Sequence, residues 1–194
     1  MIAGTIGRAA AAALAFALSA APAGAEKGPD GLHVEPWIHD TFLDLREDFA
    51  TAQAEGKRLM VLVEQRGCIY CGKMHTEVFS EPDIAARLTD EFYVVRINLH
   101  GDLEVTDLDG EAMSEKQAVR RWGALFTPTA YYLPADLPAE PAPLSAAAAA
   151  TVPGAFGAWT TRNMMDWVLA EGYAGDEDFQ RYHARRLREA GVVE

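Results

Sequence analysis

Between Arg58 and His75 the chain reads RLMVLVEQRGCIYCGKMH, a stretch that holds both of its cysteines, Cys68 and Cys71. Leu59 to Val63 is an unbroken apolar run whose length and β-branched content suit a strand covered on both faces. After the second cysteine a helical pattern carries Met74, Val78 and Phe79. The cysteines thus stand where a buried strand hands over to a helix. Unpaired N–H groups and the macrodipole at such a helix start favour negative charge. A thiol at Cys68 would have its thiolate stabilised and its pKa lowered, as an attacking nucleophile requires. Cys71, one turn inward, is placed to close a disulfide and release a bound substrate as the resolving thiol.

Other uses of two cysteines can be weighed by the same chemistry. A staple spanning two intervening residues removes little unfolded-chain entropy, because that gain grows with loop length. A c-type haem needs histidine directly after the second cysteine, where Gly72 stands. Structural zinc needs two more ligands at close spacing. His75, four residues after Cys71, could join both sulfurs around a soft ion such as Cu(I), giving a copper chaperone as the alternative function. The bland reading of His75 is a solvated or hydrogen-bonded side chain. A docking module with a merely structural disulfide is a third possibility.

The chain has 194 residues, 49% hydrophobic and 24% charged, as expected for one globular domain with a substantial core. Its net charge is −12, an acidic balance that argues against nucleic acid as a partner. Arg8, the apolar run Ala9 to Ala20 and the small residues Ala23-Gly24-Ala25 read as a signal peptide cleaved after Ala25. That reading implies export to the periplasm. The expected organisation is a signal peptide over 1–25, an irregular lead-in over 26–39 and one domain over 40–194.

Along the domain, Asp40 is expected to cap a helix presenting Phe42, Leu45, Phe49 and Ala52, with Gly56 as its stop. Ser80-Glu81-Pro82-Asp83 restarts a helix, and Phe92 to Leu99 reads as a second buried strand. The loop His100 to Gly110 carries Asp102, Glu104, Asp107 and Asp109 but lacks the spacing of a calcium loop, so a solvated turn is the preferred reading. Ser114 and Gln117 form a capping-box pair, and Gly123 is a natural stop. A short strand follows over Ala130 to Leu133. The Pro/Ala-rich segment 134–154 reads as a surface excursion leading to an edge strand near Ala148 to Val152. Thr161 is expected to cap a helix ended by Gly172, and a last helix to begin near Asp176 with Phe179, Tyr182 and Leu187 inward. Trp122, Met164, Met165 and Trp167 read as core. Strands alternating with helices predict an α/β sandwich built from βαβ units.

The blocks VEQRGCIYCGKMH, FSEPDI, INLHGDLEVTDLDG, SEK, FTPT and FQRY, in this order over residues 38–185, resemble the thioredoxin-fold family. They are most similar to the SoxW-type periplasmic thioredoxins of sulfur-oxidation clusters. The resemblance implies a central mixed sheet flanked by helices, with an extra C-terminal helix. It implies a redox-active Cys68–Cys71 pair, with Cys68 the nucleophile and Cys71 the resolving thiol, and a cis peptide before Pro128. X–Pro bonds are mostly trans, but with this bond cis the backbone of Thr127 could lie against the cysteines and offer N–H and C=O groups to an incoming peptide. No cofactor is called for. The implied activity is thiol–disulfide exchange with periplasmic proteins, as a reductant, with sulfur-carrier proteins among the candidate substrates and a membrane thiol transporter as electron donor. The chain departs from general thioredoxins in having Gly67, Ile69 and Tyr70 around its cysteines and Leu62 where a buried Asp would stand. Glu64 is a candidate proton relay to Cys71, with an exposed or salt-bridged side chain as the preferred alternative. Tyr70 is expected to be exposed, able to touch a partner peptide.

Overall fold

The computed structural model describes residues 26–192, so the expected signal peptide lies outside the described residues. The stretch 26–39, expected to be irregular, forms three short strands: β1 (Glu26–Lys27), β2 (His33–Val34) and β3 (Ile38–His39). The third joins the main sheet beside a later strand. Helix α1 (Leu45–Ala54) is capped by Asp44, whose carboxylate accepts from the N–H groups of Arg46 and Glu47. The expected cap at Asp40 is therefore four residues too early. Leu43 takes φ +59°, a left-handed turn that no helix includes, and this turn buries Leu43 and leaves Phe42 exposed.

Strand β4 (Arg58–Glu64) is the middle of a five-stranded sheet ordered β3-β5-β4-β8-β9. Its tip leads into helix α2 (Ile69–Lys73), which continues as a wide π turn over Met74–Val78 before helix α3 (Pro82–Asp90). Glu81, not Ser80, is the N-cap of α3, and Pro82 supplies the fixed φ of its first turn. Strand β5 (Phe92–Asn98) runs parallel to β4. The acidic loop is not a plain turn. It folds into a hairpin of β6 (Glu104–Thr106) and β7 (Ala112–Ser114), and Asp107 at its bend is fully buried. Asp107 accepts from the Leu144 N–H, from Trp122 Nε1 at 2.8 Å and from Arg121, so its charge is compensated rather than solvated.

Helix α4 (Glu115–Trp122) carries the Ser114–Gln117 capping box and ends at Gly123, whose φ of +73° suits glycine. Strands β8 (Thr129–Tyr132) and β9 (Ala150–Pro153) complete the sheet antiparallel, and α5 (Leu144–Ala147) sits within the Pro/Ala excursion between them. Leu144 and Ala147 are buried, so part of that excursion belongs to the core. Helix α6 (Ala158–Leu169) starts three residues before the expected cap, because Gly157 is its N-cap and Thr161 lies buried inside it. Gly172 opens a short 3-10 turn, and α7 (Phe179–Glu189) is capped by Asp178.

The alternation of β4 sorts the two cores. Leu59, Val61 and Val63 face the layer of α1, α4 and α5. Met60 and Leu62 face the other layer, with Met74, Val78, Ile84, Met165 and Trp167. Glu64 has the parity of Leu62, so the sheet aims its carboxylate toward the α2 layer at the strand end.

Candidate redox site

Gly67, with φ +75°, turns the chain out of β4 so that Cys68 can begin a helix. Cys68 is the N-cap of α2, and its Sγ accepts from the Cys71 N–H at 3.0 Å. The two sulfurs are bonded to each other, with Cα atoms 5.2 Å apart. Cys71 is fully buried whereas Cys68 is partly exposed. Ile69 and Tyr70 between them are 75% and 63% exposed, as expected of Tyr70 from the sequence.

The segment before β8 meets the cysteines across the sheet end. The Thr127–Pro128 peptide bond is cis. Thr127 Oγ1 donates to Cys68 Sγ at 3.3 Å, and the Thr127 carbonyl oxygen lies 3.4 Å from the same sulfur. Leu125 and Phe126 just upstream are exposed as well. A narrow cleft beside Pro128 is lined by Val152, Phe156, Thr160 and Met164. The arrangement offers one accessible sulfur held by two hydrogen-bond donors, flanked by apolar side chains and by a strand end.

Glu64 is fully buried and salt-bridged. Its Oε1 lies 3.0 Å from His75 Nε2 and 3.6 Å from His33 Nδ1. Burial would raise the carboxyl, but hydrogen bonds from His33 and His75 and their charges outweigh it and hold it at about 2. His75 Nδ1 in turn meets Glu35 at 3.0 Å. The Cys68, Cys71, His75 copper set is therefore not assembled: the sulfurs are joined, and both histidine nitrogens face carboxylates. His75 is buried rather than solvated, between His33 and Trp37.

The sequence reading missed His33, Glu35 and Trp37. Their alternation in HVEPW is the period of an extended segment laying one face inward, and His33 and Trp37 are both buried.

Comparison with known proteins agrees with this geometry. Residues 45–136 match the family model described as a thioredoxin-like domain. No curated protein sequence matches the chain. Among solved structures, the chain is similar to a thioredoxin-fold protein from Helicobacter pylori, with a TM-score of 0.50 and 13% identity, over 74% of this chain and 94% of that one. It is also similar to a thioredoxin from Thermus thermophilus, with a TM-score of 0.51 and 23% identity, over 66% and 86% of the two chains. The fold is thioredoxin-like: a mixed central sheet flanked by helices, the seventh of them at the C-terminal end.

Proposed function

We propose that this protein is a thiol–disulfide oxidoreductase that reduces disulfides of other proteins outside the cytosol. The observation that carries the reading is Cys68, the partly exposed N-cap of α2, bonded to buried Cys71 and touching Thr127. In the dithiol form, the Cys68 thiolate attacks one sulfur of a substrate disulfide. A mixed disulfide forms and the other substrate sulfur leaves as a thiolate. Cys71, deprotonated, then attacks the Cys68 sulfur, expelling the second substrate thiolate. Two electrons pass to the substrate, and the protein is left with its Cys68–Cys71 disulfide, the state described above.

The donors around Cys68 support its role as nucleophile, since the Cys71 N–H and the Thr127 hydroxyl stabilise a thiolate there. The exposed Ile69, Tyr70 and Phe126 support a peptide as substrate, docked along the backbone at Thr127 beside Pro128. The apolar leader with its small-residue site supports periplasmic export. Likeness to the SoxW-type thioredoxins supports sulfur-carrier proteins as substrates and a membrane thiol transporter as the source of electrons.

Insulin reduction by the dithiol form tests the activity. Turnover is expected from the wild type and is expected to vanish in Cys68→Ser. Equal rates in the two would refute the assignment. A measured reduction potential separates reductant from oxidant.

A further inference from the structure

We propose that His33, Glu64 and His75 form a binding site for a divalent metal ion of the zinc class, in the layer beneath the Cys68–Cys71 helix. The three side chains are all buried, and their donor atoms lie within 4.8 Å of one another. They come from three elements: β2, the end of β4 and the π turn after α2. Tetrahedral zinc with bonds of about 2.0–2.2 Å sets neighbouring donor atoms about 3.4 Å apart. Here Glu64 Oε1 stands 3.0 Å from one imidazole nitrogen and 3.6 Å from the other, on either side of that spacing.

Two further observations point to a ligand. Glu64 Oε2 is buried and has no hydrogen-bond partner. Both imidazoles meet Oε1 and leave Oε2 bare, whereas a metal ion can take the carboxylate through either oxygen. Glu35 meets His75 Nδ1 at 3.0 Å. A carboxylate on the outer nitrogen fixes the ring and turns the other nitrogen inward, as the partners of metal-bound histidines commonly do. Two imidazoles and a carboxylate suit zinc and its neighbours in the first transition row better than Cu(I), which prefers thiolate. Three protein ligands leave a fourth position for water.

The site does not use the cysteines. A bound ion would clamp the N-terminal segment, through His33, to the strand and helix that carry the redox pair. It is therefore a positioning element for α2, distinct from the exchanging sulfurs.

Cobalt(II) titrated into the full chain in its oxidised form tests the proposal, because that form has no free thiol among the described residues. The expected result is one equivalent bound, with the strong visible bands of tetrahedral cobalt, displaced by zinc. Binding is expected to fall at least tenfold in Glu64→Gln and in His33→Gln; if the first does not fold, the second is read alone. Absence of the bands in the wild type would overturn the site. So would bands unchanged in the folded variants, or a near-ultraviolet thiolate–cobalt band, which would put the ion on the cysteines.

Discussion

Replacing Thr127 with valine keeps the shape of the side chain and removes one hydrogen bond. In the structure that bond runs from Thr127 Oγ1 to Cys68 Sγ over 3.3 Å. The second donor to the sulfur, the Cys71 N–H at 3.0 Å, belongs to the backbone and stays in place. A hydrogen bond to an ionised group contributes about 1.5–3 kcal/mol, and a neutral thiol gains much less from the same donor. The partly exposed position of Cys68 favours the lower figure. The thiolate-to-thiol ratio at a given pH should therefore drop about tenfold in Thr127→Val, since 1.4 kcal/mol is a factor of ten. The assay is the rate of alkylation of the reduced protein by iodoacetamide as a function of pH, alongside the thiolate ultraviolet absorbance. The variant's profile should move to higher pH by about one unit, with its plateau unchanged. Superimposable profiles would refute the claim that the hydroxyl stabilises the sulfur. A profile of the same midpoint with a lower plateau would mean that Thr127 only governs access.

Further expectations follow from groups away from the sulfurs. Burial pushes the Asp48 carboxyl up to about 6, against the Thr41 hydrogen bond and with help from Asp44 and Glu47. The folded state then holds this proton more tightly than the unfolded chain, so the contribution is full below about pH 4 and is lost as pH rises through 6. Asp48→Asn should flatten that decline and gain no more than about 3 kcal/mol at pH 7 in urea unfolding; identical pH dependence of the two proteins would contradict it. Asp107→Ala leaves the Leu144 N–H and Trp122 Nε1 without their acceptor. A loss of about 3–5 kcal/mol is expected from chemical denaturation, and a change below 1 kcal/mol would show that water replaces the carboxylate. Tyr70→Ser combined with Ile69→Ser should raise KM for a protein disulfide about tenfold or more through lost apolar contact, while a small-molecule disulfide reacts as before. An equal effect on both substrates would rule out peptide docking on this rim.

Local chemistry made much of this fold legible. The run Leu59–Val63 and the cysteine spacing give β4 and α2, and the Ser114–Gln117 box and Gly123 bracket α4, because each signal acts within a few residues. Where partners lie far along the chain, the reading failed. Asp107 looked solvated because its acceptor role needs Trp122 and Leu144, and Leu144 sits 37 residues away. For His75 the spacing left a soft-metal ligand and a solvated or hydrogen-bonded side chain both open, because its carboxylates are Glu64 and Glu35, the latter 40 residues upstream. Asp40 looked like a cap because nothing in the spacing of Phe42, Leu45 and Phe49 announces the left-handed turn at Leu43. In the site itself, the cysteines and Thr127-Pro128 were visible as motifs, whereas the polar floor under them was assembled by the topology.

The π turn over Met74–Val78 closes with the Phe79 N–H on the Met74 carbonyl, five residues back. Such a turn accommodates one residue more than an α-helical turn would. Each residue advances a helix by about 100°, so excising one from this turn would swing the following side chains out of phase with the sheet. Phe79 and Val78 would leave the contact layer they share with Leu62. Sequence alignments across this stretch should accordingly treat a gap of a single position as a change of floor beneath the sulfurs, even where both cysteines and the following proline match.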